Sequence, residues 1–572
     1  MKASIEKPWL KYYDPAKASL PVPELSIMEY LKLCMSDREN DVALIYQDKV
    51  ITNEELFKNI YATADAFEGM GVKKGDYVVV VSITTPEIVY AFYALSLLGA
   101  VPNMVDPRFS VAGIHNCITE VDARFVITLT AAYDKVVDAV KDTNVEKTVV
   151  LSPVVSLPKV KQVLYGLINK FPKDMPKNFM DWNEFMRYGI GHRAKHITDR
   201  AHDCCIIVHT GGTTGPSKSV MLSDYDLNAI SWEMKKSQMN RINSGHDSVL
   251  NIMPPFIAYG FGYGVHLPLC NYMTSIIIPA LEPEKLGGLI KKYKPQEITG
   301  VPYHYQTLMQ DPVMKGVDLS FLTKPCCGGD TLAVPVENQI NEWLKAHNAP
   351  YPVIKGYGMT ELSACATACV LELNKPGSVG VPNGGFVISA FDQETGEEMD
   401  YGESGEICIT GPTIMMGYYN NQAETDNVIR VHDDGLRWVH TGDLGYVDED
   451  GFVFLNGRAK RVFMDWFGFK IFPAAIENVM ALCEDVEYTC VVPATNTEHV
   501  RGFVPYAFYT VKAGCTKTEE QLNKELTDVC NKELPEYMQP KYFKKLDEMP
   551  RTPIGKTDYV SLEKFAADLI KK

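Results

Sequence analysis

The chain has 572 residues, 46% of them hydrophobic and 22% charged, and a formal net charge of −16. That composition describes a soluble globular protein long enough for two or more domains with sizeable cores. The acidic balance repels nucleic acid and anionic membrane surfaces at long range, so no nucleic acid is expected as a partner; a nucleotide site needs only local donors and stays open. The fourteen cysteines stand singly, in the adjacent pairs Cys204-Cys205 and Cys326-Cys327, or four apart as Cys365 and Cys369. With no CxxC and no zinc-ligand spacing to histidine, they read as buried free thiols in a reducing compartment. The start, MKASIEKPWLKYYDP, has no apolar run behind its lysines, and the most apolar stretch, 77–105, is broken by Pro86 and Glu87. A cytoplasmic protein with no integral membrane segment is expected.

In chain order, the β-branched run at 77–81 predicts a strand. Thr85-Pro86-Glu87 then supplies a cap, a first-turn proline and a first-turn acid for a helix through IVYAFYALSLL. Further buried strands are predicted at 125–129, 204–208 and 275–278. This alternation predicts an α/β architecture with mixed or parallel sheets. From residue 406 the texture shifts to short strands and turns, including a hairpin across the turn 448–451. Beyond Arg458 a smaller α+β unit is predicted: a helix over 471–482, strands over 489–492 and 504–511, and a helix over 518–534. The short basic run 541–545 reads as solvated surface.

The strongest local signal is Thr210-Gly-Gly-Thr-Thr-Gly-Pro-Ser-Lys218, directly after a predicted strand. Its glycines let backbone amides approach an anion, Thr210, Thr213 and Thr214 add hydroxyl donors, and Lys218 adds charge. The loop has the physical character of a phosphate site without satisfying GxxxxGK[ST]. Ser223 and Asp226 resemble a helix cap just after it. Gly356-Tyr-Gly-Met-Thr-Glu361 follows, and alone is only a tight turn entering a helix. In His440-Thr-Gly-Asp443 and Gly457-Arg458-Ala-Lys460, an aspartate suited to a ribose diol lies near an arginine suited to hydroxyl or phosphate oxygens. Pro550-Arg-Thr-Pro-Ile-Gly-Lys556 presents a late lysine between proline and glycine.

The order and spacing of these motifs closely resemble the acyl-adenylate-forming superfamily, over nearly the whole chain from Asn53 to Lys556. The resemblance implies a large N-terminal domain (1–459) of mixed or parallel sheets with helices and a small β-barrel-like part. A small mobile α+β C-terminal domain (460–572) would carry the catalytic lysine. It further implies that Thr210, Gly211, Gly212, Thr213, Thr214 and Lys218 hold the β- and γ-phosphates of ATP, and that Gly329 and Asp330 lie beside the adenine. Tyr357 would stack on adenine within Gly358-Met359-Thr360, Thr360 would touch the α-phosphate, and Glu361 would bind Mg²⁺. Asp443 with Arg458 would take the ribose, and Lys556 would bridge carboxylate and α-phosphate. Lys460 would be the hinge between half-reactions. The family's KxxGxxI loop is altered here to Arg461-Val-Phe-Met-Asp-Trp-Phe-Gly-Phe-Lys470, one residue longer, with Lys470 a substitute phosphate contact for coenzyme A.

The segment that lines the family's acyl pocket corresponds to Pro254–Tyr263, where Ile257 and Ala258 replace the aspartate of amino-acid-activating members. An unpaired buried ammonium is costly, so an amino acid is disfavoured. Phe256, Tyr259 and His304, with Phe261, Tyr263 and Tyr305, predict an apolar pocket for a fatty, aryl or steroidal acid, although core packing explains such aromatics equally well. The expected enzyme is an AMP-forming acid–CoA ligase, monomeric or homodimeric. A stand-alone enzyme loading a carrier-protein thiol, and a non-catalytic nucleotide-binding relative, are the alternatives.

Overall fold

The computed structural model describes residues 1–168, 171–172, 174–210, 217–236, 247–279, 281–369, 374–495, 502–552 and 556–570. Two large sheets organise the first 360 residues, and residues 417–418 add one strand to the first of them. One runs Gly417–Tyr418, Ser219–Ser223, Cys204–His209, Val101–Val105, Tyr77–Val81, Phe125–Leu129, Lys147–Leu151 and Phe179–Asp181. Its strands are parallel except for the antiparallel pairings of Ser219–Ser223 with both of its neighbours. The other runs Ile354–Lys355, Lys324–Cys327, Glu297–Gly300, Ser248–Asn251, Thr274–Ile277, Val42–Tyr46 and Lys49–Thr52, antiparallel only at its last pair. Parallel strands covered on both faces must be apolar throughout, as Phe125–Leu129, buried at every position, illustrates.

Local chemistry sets the boundaries. Thr85 caps the helix Pro86–Leu98 by accepting from the Ile88 N–H, and Gly99, at φ +71°, ends it. Every residue of this helix is buried, which is why it is apolar all round. Glu87, the expected first-turn acid, is itself buried; Ser156 donates to it at 2.5 Å and burial raises its pKa.

A third, antiparallel sheet comprises Val387–Phe391, Gly405–Thr410, Arg437–Val447, Ile429–Val431 and Val453–Arg458. Within it Arg437–Val447 pairs with three neighbours. The last hundred residues form a three-stranded sheet, Val486–Thr495, Phe503–Val511 and Tyr542–Lys545, with helices Pro473–Met480, Glu519–Glu533 and Tyr559–Ile570. Two apolar clusters drawn only from residues 463–570 make up its core. Here one sequence expectation fails: 541–545 is no plain surface run. Tyr542–Lys545 is a half-buried edge strand parallel to Phe503–Val511, and Lys544 pairs with Glu519 at 3.0 Å. Lysines on an edge strand blunt further pairing, so a basic run and an edge strand look alike in sequence.

Candidate active site

The second large sheet ends in a cleft. Met253, Val301, Gly328 and Gly356 each follow the carboxyl end of one of its parallel strands, and all four line one cavity of about 120 Å³. Ligands of open α/β sheets bind at this edge. Met234, Ile257, Ala258, Tyr259, Tyr263, Ile354, Cys326, Cys327, Ala364, Cys365 and Ala368 make the wall mainly apolar, Lys355 and Thr367 add polar groups, and no carboxylate is among the described lining residues. At the other end Tyr357, Gly358, Met359, Thr360 and Gly329 meet Lys556. The backbone requires glycine at 358, because a Cβ there would sit 1.7 Å from the Ala364 carbonyl oxygen. That contact folds the segment after Tyr357 back onto Ala364 and Cys365.

Asp443 and Arg458 face each other in register across adjacent strands, and the guanidinium Nε lies 2.8 Å from the carboxylate. The Tyr357 hydroxyl donates to the other carboxylate oxygen. Burial raises the Asp443 pKa, and Arg458 and the tyrosine hydroxyl oppose that rise. Glu361, also buried, accepts from the Tyr418 hydroxyl at 2.6 Å. The Tyr418 ring in turn lies under Lys218, whose ammonium is 4.7 Å from its centroid and 2.5 Å from Glu424. Tyr418 thus ties Glu361 to the lysine of the glycine–threonine loop. Gly211, Gly212, Thr213 and Thr214 lie outside the described residues. The loop's two ends do not: His209 pairs with Ser219, and the Thr210 and Lys218 backbones are joined by a 3.0 Å hydrogen bond. The predicted cap is present, with the Ser223 N–H donating to Asp226 at 2.8 Å and the Asp226 N–H to Ser223 at 3.1 Å.

Lys556 arrives from the C-terminal unit. Burial lowers its pKa, while Asp330, Asp443 and Glu361 pull it back up. Five residues earlier, the Arg551 guanidinium lies between the rings of Tyr303 and Tyr488, 4.3 and 4.5 Å from their centroids. Gln310 adds a 2.6 Å hydrogen bond to Glu487. The chain between the two units is anchored on both sides of Lys460: Arg458 to Asp443, and Arg461 to Glu477 at 2.5 Å and over the Tyr559 ring. Lys460 itself is exposed in the short turn Ala459–Arg461.

Of the described predicted residues, Thr210, Lys218, Asp330, Glu361, Asp443, Arg458 and Lys460 do not line the cavity itself, and neither do three expected at the acid or coenzyme A. Phe256 is buried beneath Arg108, 5.6 Å from its ring. His304 sits in the first turn of the helix Pro302–Gln310, where its Nδ1 accepts from the Val301 N–H. Lys470 is exposed in a two-stranded hairpin with Phe463–Met464. In that hairpin's turn Asp465 accepts from the Phe469 N–H at 2.7 Å. Phe261 and Tyr305, also expected near the acid, are core, the former packed 4.1 Å from Phe92. Sequence reasoning missed Met234, Met253, Ile354 and Tyr418. None belongs to a motif: Met253 and Ile354 come from strand ends, Met234 from the helix Asp224–Lys236 and Tyr418 from the other sheet, so only the fold brings them to the site.

The family model for AMP-binding enzymes matches residues 34–419, and that for the AMP-binding enzyme C-terminal domain matches 475–556. The chain belongs to the AMP-binding enzyme family. A long-chain-fatty-acid–CoA ligase of Bacillus subtilis (strain 168) is 28% identical over 561 residues, 96% of each chain. A probable 4-coumarate–CoA ligase of Dictyostelium discoideum is 28% identical over 562 residues, covering 97% of this chain and 98% of that one. The crystal structure of an anthranilate CoA ligase in complex with anthranoyl-AMP superposes with a TM-score of 0.81 at 20% identity, over 97% of this chain and all of that one. The two-part fold expected from the sequence is therefore the fold of these enzymes. Among the described residues no helix is long and apolar enough to cross a membrane.

Proposed function

We propose that this chain is an ATP-dependent, AMP-forming acid–CoA ligase whose acid is small and apolar: a single-ring aryl acid or a short fatty acid. One observation carries the reading. Lys556 lines a cavity of about 120 Å³ whose wall is mainly apolar and carries no carboxylate among the described residues. Its acid-side wall of Met234, Met253, Ile257, Tyr259 and Tyr263 suits a ring or a short alkyl chain, and a cavity of roughly 150 Å³ is enough to bind benzene. An amino acid's ammonium would find no partner there. The names of the relatives, which include fatty-acid and 4-coumarate ligases, agree with an apolar acid.

The chemistry asks two anions to react, and the residues supply what that needs. Asp443 holds the ribose hydroxyls, and Tyr357 and Gly329 wall the adenine. Thr360 and the Lys556 ammonium meet the α-phosphate where the acid's carboxylate attacks it, so positive charge lies where negative charge builds up. Glu361, a hard oxygen donor held by Tyr418, fits Mg²⁺, which supplies neutralisation of the phosphate oxygens when bound. Attack by the carboxylate expels pyrophosphate, the thiol of coenzyme A then displaces AMP, and no protein nucleophile takes part. Division at Lys460 into two moving units belongs to the same proposal. Its support is an exposed residue set between two anchored arginines.

Transfer to a carrier-protein thiol is a second reading. It is favoured by Trp466, Phe467 and Phe469, which are exposed on the turn whose counterpart carries the family's lysine. The test is AMP formation from ATP over benzoate, cinnamate, C4 to C16 fatty acids and amino acids, with and without coenzyme A. Coenzyme-dependent turnover, highest with a single-ring or short acid, supports the proposal. A maximum at C16 contradicts the size assignment, and pyrophosphate release that stops after one turnover with coenzyme A present favours the carrier protein.

A further inference from the structure

A second cluster of reactive side chains lies on the antiparallel sheet, beside the strand segment that carries Asp443, where the Gly442 N–H donates to Glu406 at 3.0 Å. Glu406 and Cys408 are two apart on the strand Gly405–Thr410 and so share a face, and His440 stands in register opposite Cys408 on the strand Arg437–Val447. The His440 Nδ1 lies 3.0 Å from a Glu406 carboxylate oxygen and 3.5 Å from the Cys408 sulfur. On its other side, the His440 Nε2 lies 3.0 Å from the Nε2 of His432, whose ring stacks on Trp438 with 12° between planes. Glu406 and Cys408 are buried, and the side chains of His440 and Glu406 retain 11% exposure each.

We propose that Glu406, Cys408 and His440 form a binding site for a soft divalent cation of the zinc class. Tetrahedral zinc, with bonds of about 2.3 Å to sulfur and about 2.0–2.1 Å to nitrogen and oxygen, places its ligands about 3.6 Å (sulfur to nitrogen) and about 3.3 Å (nitrogen to oxygen) apart. The observed 3.5 and 3.0 Å need adjustments of only a few tenths of an ångström. Charge balances as well. A thiolate and a carboxylate neutralise the dication, leaving no net charge on a largely buried site. Binding releases the Cys408 thiol proton to solvent and moves the His440 proton from Nδ1 to Nε2, where the His432 nitrogen accepts it. A ligating imidazole whose second nitrogen donates to a fixed acceptor is the usual support for such a ligand. The residual exposure at His440 and Glu406 leaves the fourth position to water. The three ligands are spread from 406 to 440 with no motif spacing, so linear inspection of cysteines and histidines does not reveal them.

The test uses full-length protein, reduced and stripped with a chelator, titrated with Co²⁺. The expected result is a thiolate-to-cobalt charge-transfer band with tetrahedral d–d bands, saturating at one equivalent and bleached by Zn²⁺. Cys408→Ser, confirmed as folded by circular dichroism, loses the charge-transfer band. His440→Gln, an independent variant at the central ligand, loses affinity for the ion. His432→Gln keeps the band with roughly 10- to 100-fold weaker affinity, the usual cost of removing a supporting hydrogen bond. Absence of the band in wild type, or the same band in Cys408→Ser or at full affinity in His440→Gln, overturns the proposal. The readout needs no turnover, so it stands or falls apart from the proposed ligase activity.

Discussion

Met253, Val301, Gly328 and Gly356 reach the cleft from the ends of four hydrogen-bonded neighbouring strands, whereas Lys556 reaches it from a loop of the C-terminal unit. The strand ends are fixed by a continuous sheet over its own apolar core. The lysine loop is held by a different kind of contact: Arg551 between two tyrosine rings, one from each unit, and a few polar bonds such as Gln310 to Glu487. A cation over an aromatic ring contributes about 0.5–2 kcal/mol. Such a contact places a side chain without welding two cores together. In the proposed function, this difference puts recognition on the sheet and charge delivery on a separately held loop.

Four expected outcomes press on that division. The largest concerns Lys556→Met, which removes the delivered charge and leaves the wall intact. Acid-dependent exchange of pyrophosphate into ATP should fall by at least about 10²–10³-fold, the cost of losing one preorganised transition-state donor, with little change in ATP affinity. Asp443→Ala strikes the rigid part. It removes the partner of Arg458 and of the Tyr357 hydroxyl, and hydrogen bonds to charged groups contribute about 1.5–3 kcal/mol. KM for ATP should rise roughly 10- to 100-fold, and an unchanged KM would remove Asp443 from the nucleotide site.

Arg551→Ala loosens the delivery alone. The adenylation kcat should drop by about tenfold through loss of two ring contacts, with Arg551→Lys recovering part of it and KM for the acid unmoved. A change confined to KM would mean that Arg551 serves the wall instead. The smallest effect is a pH profile. Lys556 must be protonated to act, and burial lowers its pKa. The adenylation rate should therefore hold below that pKa and fall as pH rises through it, at a lower pH than an ordinary lysine would give. In Lys556→Met that alkaline limb should vanish, and its persistence would assign it to another group.

Much of this was legible from residue order. The strands at 77–81 and 125–129, the Thr85 cap with Pro86 and the hairpin across 448–451 are written locally in branching, proline and hydroxyl placement, and the structure has each of them. The motif residues Tyr357, Thr360 and Lys556 meet in one cavity because their spacing belongs to a family whose fold brings them together. What failed was side-chain direction. Phe256 and His304 lie in the expected segments but turn away from the cavity, a distinction that aromatic content does not encode. The link from Lys218 through Tyr418 to Glu361 was invisible for another reason: it runs through a tyrosine 200 positions from the lysine, with no motif of its own.

The central claim is that Lys556 serves the first half-reaction from a detachable unit while the wall serves both. The most direct measurement supplies Lys556→Met with a pre-formed acyl-adenylate of a single-ring acid and follows thioester formation with coenzyme A, beside pyrophosphate exchange from the free acid. The account predicts exchange lost and thioester formation retained within a few-fold of wild type. Loss of both together, or retention of exchange, would contradict it.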